Sequence, residues 1–361
     1  MLMHHLWGFP DRRPIGKYEL TSPLLPFTVN DRNVFLAVGQ FGKICVVLFI
    51  FLAGLGLYRQ YASSNFSLWN KIKRFYLSYW KVFVIMIPVA FLFFAHQEQL
   101  TAPDIAFFNK YSEFDLNTFI LNLFGLSTSY NAEWWFVFAY VASCIFGELY
   151  ILSTRRCHNV YVELFFVACL NTLFYRIIPM FINLPAFAGI EKSVIYRLYF
   201  KQPCMTAFFS GIVAAKYNIL ENMISRMNRL ALPQRILLCF AGLVSAFYIR
   251  TFNGGQIYDF LTAPFLVVMF LGLIKLEKHI IYGALVFLGK HSENMWLIHS
   301  FYCYYFSLAV RIVYKSGNFL ISFIVLVIMT LISSVCINLF YDWIRKLSGM
   351  RLRAHGLSRS A

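Results

Sequence analysis

From Ser316 to Tyr341 the chain carries no charged residue. A bilayer-spanning helix needs roughly 20 mostly apolar residues, so this run alone sets the solvent. Composition agrees. Of 361 residues, 60% are hydrophobic and 13% are charged. Soluble domains carry roughly a quarter charged residues, and mean hydropathy here is +0.63. Such a chain has too little polar surface to coat a globule of its size. A soluble enzyme, a coiled coil and a disordered chain are excluded. The fold class is all-α, a polytopic transmembrane helical bundle.

About nine full spans are predicted, at 36–58, 76–96, 134–153, 160–182, 202–217, 236–252, 258–276, 291–313 and 318–343. Val286–His291 reads as a short lead-in helix to the eighth span. Residues 1–345 form a single membrane domain, and 346–361 a basic cytoplasmic tail. The first nine residues, Met-Leu-Met-His-His-Leu-Trp-Gly-Phe, are apolar and aromatic but too short to span. They are expected to be the remnant, and the outer end, of a first helix whose inner half lies upstream. The complete form would then have ten helices. A short interfacial anchor is the other reading.

The net charge of +16 does not imply a nucleic-acid partner, because the basic residues sit between apolar runs and form no continuous face. Lys and Arg gather instead in alternate loops: Arg59 with Lys71, Lys73 and Arg74; Arg155 and Arg156; Lys216 to Arg235; Lys275 and Lys278; and the tail from Arg345. Only Glu221, Glu277 and Asp342 oppose them. The other loops mix both signs. Excess basic charge marks cytoplasmic loops, which places the C-terminus in the cytoplasm. Seven of the eight cysteines fall in apolar segments, with Cys157 in a loop. None shows metal-ligand spacing, so they read as small buried hydrophobes, and no metal is expected.

Ionisable groups at membrane depth are costly and are candidates for function or for bonding between helices. They are His4, His5, Lys43, Glu133, Glu148, Glu163, Arg176, Asp259, Lys290, Glu293 and His299. His4 and His5 could activate a hydroxyl near neutral pH, or sit as polar residues at an interface beside Trp7. Lys71, Lys73 and Arg74 could hold phosphates of a donor, or anchor the span by the positive-inside rule. Asn131 can cap a helix that starts at Glu133-Trp134-Trp135. There a carboxylate and indoles could bind a sugar, or form an interfacial belt. Ser292, Trp296 and His299 share one helix face, although Ser292 and His299 are two turns apart and cannot bond directly.

Several of these segments together resemble acyltransferase family 3, the bacterial integral-membrane O-acyltransferases, and within it the fucose 4-O-acetylase-like, surface-polysaccharide O-acetyltransferase group. Gly42 to Gly54 resembles the family's second-helix run, with Ala53 in place of its Ser. Lys71-Ile-Lys-Arg74 before Phe-Tyr-Leu-Ser-Tyr-Trp resembles an Arg-x-x-Arg element and the stretch after it. Glu133-Trp-Trp-Phe136 resembles a Trp-Phe helix start. Leu288-Gly-Lys-His-Ser292 through Trp296-Leu-Ile-His299 resembles the Leu-Gly-x-x-Ser…Tyr-Leu-x-His element and is the most specific match. Met-Leu-Met-His-His-Leu resembles the His end of the family's Arg-x10-His first helix.

The resemblance implies an acetyl or short acyl group moved from acetyl-CoA, or another acyl-CoA, to a hydroxyl of a cell-surface or lipid-linked glycan. No bound cofactor is implied. His5 would be the catalytic residue, as general base or transient acyl carrier, with His4 the fallback. Lys71, Lys73 and Arg74 would bind the acyl-CoA. His4, Glu133, Trp134, Ser292 and His299 would lie on the acceptor side. The setting would be the bacterial cytoplasmic membrane. Two other readings remain at this point: a glycan-lipid transporter or flippase, and an inactive remnant. The inverted repeats typical of many transporters are not seen.

Overall fold

The computed structural model describes the chain apart from residues 15, 21–27, 30–31, 64–65, 98–99, 101–109, 183, 186–188, 190–192, 201–203, 253–254, 274–279 and 348–361. The expected basic tail beyond Leu347, and Lys275 and Lys278, lie outside the described residues. The protein is a bundle of helices. A two-residue ladder, Thr28–Val29 against Arg32–Asn33, is the β-structure among the described residues.

The helices are α1 Leu2–Trp7, α2 Val34–Phe41, α3 Ile44–Tyr61, α4 Leu68–Phe93, α5 Leu116–Leu123, α6 Trp135–Thr154, α7 Val160–Thr172, α8 Cys204–Lys216, α9 Ile219–Met227, α10 Leu232–Phe252, α11 Asp259–Leu273, α12 Ile280–Ser300, α13 Ser307–Tyr314 and α14 Phe319–Leu347. A π-turn at Leu173–Ile177 carries α7 on to Ile182. Helices cover each of the predicted spans. Among the described residues, six helical segments are long and apolar enough to cross a membrane. Cys204–Lys216 and Asp259–Gly272 are shorter apolar helices.

Starts follow side-chain capping. Ser67 accepts from the Asn70 amide at 3.3 Å, Asp115 from Thr118 at 2.7 Å, and Asn159 from Tyr161 at 2.9 Å and Val162 at 3.4 Å. Each satisfies donors that a helix start leaves open. The outside of the bundle is apolar. Phe165 is 72% exposed and Leu237 69%, as lipid-facing side chains are.

The interior has two apolar clusters. One is built from α3, α6, α8 and α11 around Phe51, Phe208 and Val213. The other gathers α1, α4, α12, α13 and α14 around Leu6, Phe83 and Phe301. Phe75, Tyr76 and Trp296 pack against both, so the seam between the clusters runs beside them. Within the first cluster α3 and α8 touch backbone to backbone. A Cβ on Gly54 would lie 2.0 Å from the Phe208 carbonyl oxygen, and one on Gly211 would lie 2.0 Å from that of Phe51. Small residues permit such close crossings in membranes.

Two expectations need correction. The eighth span does not begin at His291 after a separate lead-in over Val286–His291. α12 runs unbroken from Ile280 to Ser300, and then passes through a π-turn at Phe301–Tyr305 and an extended Phe306 into α13. The polar run that suggested a boundary is accommodated within the helix. Lys290 is exposed, His291 Nδ1 pairs with Ser334 Oγ at 2.9 Å, and Ser292 Oγ donates to the Gly289 carbonyl at 2.8 Å. The cysteines are also not uniformly buried, because Cys169 and Cys336 face outward. In a lipid-facing helix the exterior is as apolar as the core, so apolar surroundings in sequence do not imply burial.

Candidate active site

His4 and His5 lie on a single short helix, and four other segments fix it. Trp7 Nε1 donates to the Phe319 carbonyl at 3.1 Å. Arg13 Nη2 donates to the Trp7 carbonyl at 3.0 Å. The Tyr304 hydroxyl donates to the His5 carbonyl, and His4 Nδ1 pairs with the Gly39 carbonyl at 2.9 Å. Leu6 and Trp7 are buried in the second cluster.

Glu133 arrives from the turn before α6. Asn131 accepts from the Glu133 amide at 3.0 Å, as its capping role predicts. The Asn131 amide donates to Ser300 Oγ at 2.7 Å, which ties this turn to the end of α12. The Glu133 carboxylate is 3% exposed. Its Oε1 accepts from Arg12 Nη1 at 2.8 Å, and its Oε2 from the Tyr305 hydroxyl at 2.9 Å. His5 Nδ1 stands 3.6 Å from Oε1, within ion-pair range and just beyond a hydrogen bond. The His299 ring lies 4.8 Å from that of His5, and its Nδ1 pairs with the Trp296 carbonyl. Among the described residues, His5 Nδ1 and His299 Nε2 are buried without a hydrogen-bond partner.

The π-turn explains how two adjacent tyrosines serve one site. The wider i→i+5 turn lets Tyr304 reach His5 and Tyr305 reach Glu133. Outside the spans, Lys110 Nζ sits 4.3 Å from the Tyr305 ring centre. Burial pushes its pKa down to about 8, and Glu133 pulls it the other way.

His4, His5, Phe9, Arg12, Lys43 and Glu133 line a cavity of about 130 Å³. Burial strengthens every charge–charge interaction there. An imidazole next to a buried carboxylate is the arrangement that takes a proton from a hydroxyl and holds the charge formed.

The other expected residues fall as follows. Trp134 is buried, with Nε1 donating to the Leu297 carbonyl at 3.0 Å and its ring packed on Tyr79, Phe83 and Phe301. Ser292 lines a second, mostly apolar cavity of about 190 Å³ with Phe49, Phe75, Phe136, Glu293 and Trp296. Lys71 donates to Gln60 at 3.1 Å, while Lys73 and Arg74 are exposed. Gln60 is near one end of α3 and Lys43 caps the other, which puts the basic cluster about 25 Å from the histidines at 1.5 Å per residue. The structure therefore brings His4, His5, Glu133 and His299 together and leaves Lys71, Lys73 and Arg74 apart. The second cavity shares Val46 with the first, and its Phe75 adjoins Arg74, so it lies between the two.

Two further buried acids bond helix to helix. Glu163 accepts from Lys216, from Tyr217 at 2.9 Å and from Tyr150 at 3.1 Å. Asp259 takes both arms of Arg250, at 3.0 and 3.1 Å. Sequence reasoning missed Arg12, Tyr304 and Tyr305. Arg12 sits in a Pro-flanked turn, and two tyrosines in an aromatic run carry no signal of their own. Among the described residues, no group of three His, Cys, Asp or Glu is placed to hold a metal ion.

No curated protein and no solved structure matches the chain. The family described as an acyltransferase domain matches residues 1–339. That match spans the apolar helices and the buried histidine–carboxylate cavity alike, and the chain belongs to this family of membrane acyltransferases, acyltransferase family 3.

Proposed function

We propose that the protein moves an acetyl or other short acyl group from acyl-CoA to a hydroxyl of a cell-surface or lipid-linked glycan. The observation that carries this is His5 standing 3.6 Å from the buried Glu133 inside a cavity that Arg12 and Lys43 also line. His5 accepts the hydroxyl proton as the oxygen attacks the acyl carbon. Glu133 orients the ring and balances the imidazolium, while Arg12 and Tyr305 fix the carboxylate. The cavity, of about 130 Å³, is of a size that suits a short acyl ester.

The donor's phosphates bind Lys71, Lys73 and Arg74 on the cytoplasmic side. The second cavity lies on the way from there to His5. The excess of Lys and Arg in alternate loops and the tail supports a cytoplasmic C-terminus in a bacterial cytoplasmic membrane. The acceptor meets His5 from the outer side.

The test is His5→Ala in the full chain, assayed for acetyl transfer from labelled acetyl-CoA to envelope glycan. Transfer is expected to fall about 10³-fold, inside the 10²–10⁴ range of general-base catalysis, with normal membrane insertion. Unchanged acylation removes His5 from the mechanism. Loss of glycan export with acylation unchanged would make the protein a transporter instead.

A further inference from the structure

His299 is fully buried. It sits in the last turn of α12, one residue before the Ser300 that ties this helix to Asn131. Its Nδ1 faces the Trp296 carbonyl. A carbonyl can only accept, so Nδ1 carries the ring proton and Nε2 is left as a lone pair. That lone pair is buried and, among the described residues, has no hydrogen-bond partner. An unpaired buried acceptor forfeits its hydration with nothing in return, and folded proteins seldom keep one.

His4 is the useful comparison. Its Nδ1 is fixed on a carbonyl in the same way, that of Gly39 at 2.9 Å, and its ring lies 4.9 Å from that of His5. Its Nε2, however, is not among the buried atoms left without a partner. The stranded acceptor is the one on His299.

The donor it lacks arises when His5 is protonated. A neutral imidazole has one N–H and an imidazolium has two. Glu133 Oε1, 3.6 Å from His5 Nδ1, is placed for one of them. His5 is 6% exposed, so water is a poor acceptor for the other and a protein atom must serve. The His299 ring lies 4.8 Å from the His5 ring, centre to centre, and is tilted by 53° to it. A small rotation brings its Nε2 to a His5 N–H.

We propose that His299 is a positioning residue that acts through His5: its Nε2 accepts the second N–H of the His5 imidazolium during acyl transfer. This rests on the acyl-transfer reading above. The acceptor hydroxyl gives its proton to His5 as its oxygen bonds to the thioester carbon, and the carbonyl π pair moves onto oxygen. His5 then holds two protons, one toward Glu133 and one toward His299. The pair returns, the carbon–sulfur bond breaks, and the CoA thiolate leaves with a proton from His5. Atoms and charge balance with no further reactant, and His299 stays neutral throughout. An acceptor that is unpaired at rest and paired only while His5 is charged lowers the barrier without tightening substrate binding.

The tautomer can be read without turnover. ¹⁵N-histidine NMR of the full chain in detergent micelles, with the His299 signals assigned by their loss in His299→Phe, should show a neutral ring with its proton on Nδ1. A proton on Nε2 instead, or a charged ring at neutral pH, overturns the proposal. The rates are measured in proteoliposomes, with acetyl-CoA as donor and envelope glycan as acceptor. His299→Phe keeps a ring but no acceptor, and kcat is expected to fall about 10- to 10²-fold, the worth of one hydrogen bond to a charged group. The KM for acetyl-CoA should stay within about threefold. His299→Gln can donate to the Trp296 carbonyl and accept from His5, so it should recover part of the rate. A residue that only packs would give the reverse order, with Phe above Gln. Each variant is first checked by its melting profile; if His299→Phe unfolds, His299→Gln assigns the signals and the tautomer decides. A folded His299→Phe with kcat within threefold of the parent overturns the proposal, as does an effect confined to KM. Absence of transfer by the parent protein would instead strike at the acyl-transfer reading itself, and the tautomer would still decide the state of His299.

Discussion

Replacing Gly54 or Gly211 by alanine tests how closely α3 and α8 are held. A Cβ at either position would stand 2.0 Å from a carbonyl oxygen of the facing helix, whereas ordinary contact begins at 3.4 Å. The shortfall is 1.4 Å (3.4 − 2.0), and the obstacle is backbone, which no rotamer change relieves. The helices must part by about that distance. The side chains along their shared seam, among them Phe51, Val47, Phe208 and Ile212, then lose the outer part of their packing. Overpacking costs roughly 1–3 kcal/mol, and a backbone clash belongs at the upper end, about 3 kcal/mol. The two clashes are reciprocal across one crossing. Once one alanine has parted the helices, the second meets space already opened, so the double variant should cost well below the sum, with a coupling of about 1–2 kcal/mol. Gly56 is the control: nothing lies within 4 Å of a Cβ there, so Gly56→Ala should gain up to about 1 kcal/mol from helix propensity. Unfolding in mixed micelles of rising SDS fraction, followed by circular dichroism, measures all four. Single variants within about 0.5 kcal/mol of the parent, or strictly additive losses, would refute the close crossing.

Glu133→Gln keeps the shape but removes the charge that Arg12, Tyr305 and His5 surround, and kcat for acetyl transfer should fall by about 10²-fold or more, as orienting carboxylates do; a rate near the parent's would show that His5 needs no partner. Lys216→Met leaves the Glu163 carboxylate buried with only two tyrosine hydroxyls. Mixed-micelle unfolding should report a loss of about 3–5 kcal/mol, recovered in large part by adding Glu163→Gln. For Lys110 the sign follows from its pKa of about 8 when folded against about 10.4 unfolded. Between those values the unfolded chain holds more protons, so stability should rise with pH from about 8 to about 10 and stay level below. The melting temperature of the detergent-solubilised protein should climb over that window and Lys110→Met should flatten the climb; a parent that melts at one temperature throughout would contradict the burial.

Hydropathy exposed the bundle because lipid imposes a length and an apolar composition on every span. It could not locate the start of α12, since Lys290 is exposed, His291 pairs with Ser334 of α14 and Ser292 bonds within its own helix, so the polar run fits a continuous helix yet looks from sequence like a boundary. The Asn131 cap was legible, because capping is local. Glu133 was visible as a carboxylate at depth, and so were Glu163 and Asp259. The Trp-Trp neighbours and the family-like motif marked Glu133 as an acceptor-side candidate and left Glu163 and Asp259 unmarked, but they could not show that Glu133 meets His5, because that depends on which helices are neighbours. Arg12 illustrates the same gap: its pairing with Glu133 crosses 121 positions of chain, far beyond any periodicity. The basic cluster at Lys71, Lys73 and Arg74 was easy to find, and its separation from the histidines emerges only from the course of α3.

The π-turn at Phe301–Tyr305 has a bearing on how such a cavity can diversify. It stores one surplus residue in a helix that otherwise winds regularly. Deleting a single codon there would let the turn rewind as α-helix, and everything on one side would rotate by about 100° relative to the other. An inserted codon would do the reverse. Either event exchanges the pair of side chains presented to His5 and Glu133 in one step, while α3, α8 and the lipid-facing helices keep their places. Length variation over five residues, rather than gradual replacement of the wall, is the economical route by which relatives of this chain could acquire new acceptors. Aligning their sequences across this turn is where such a change would first be seen.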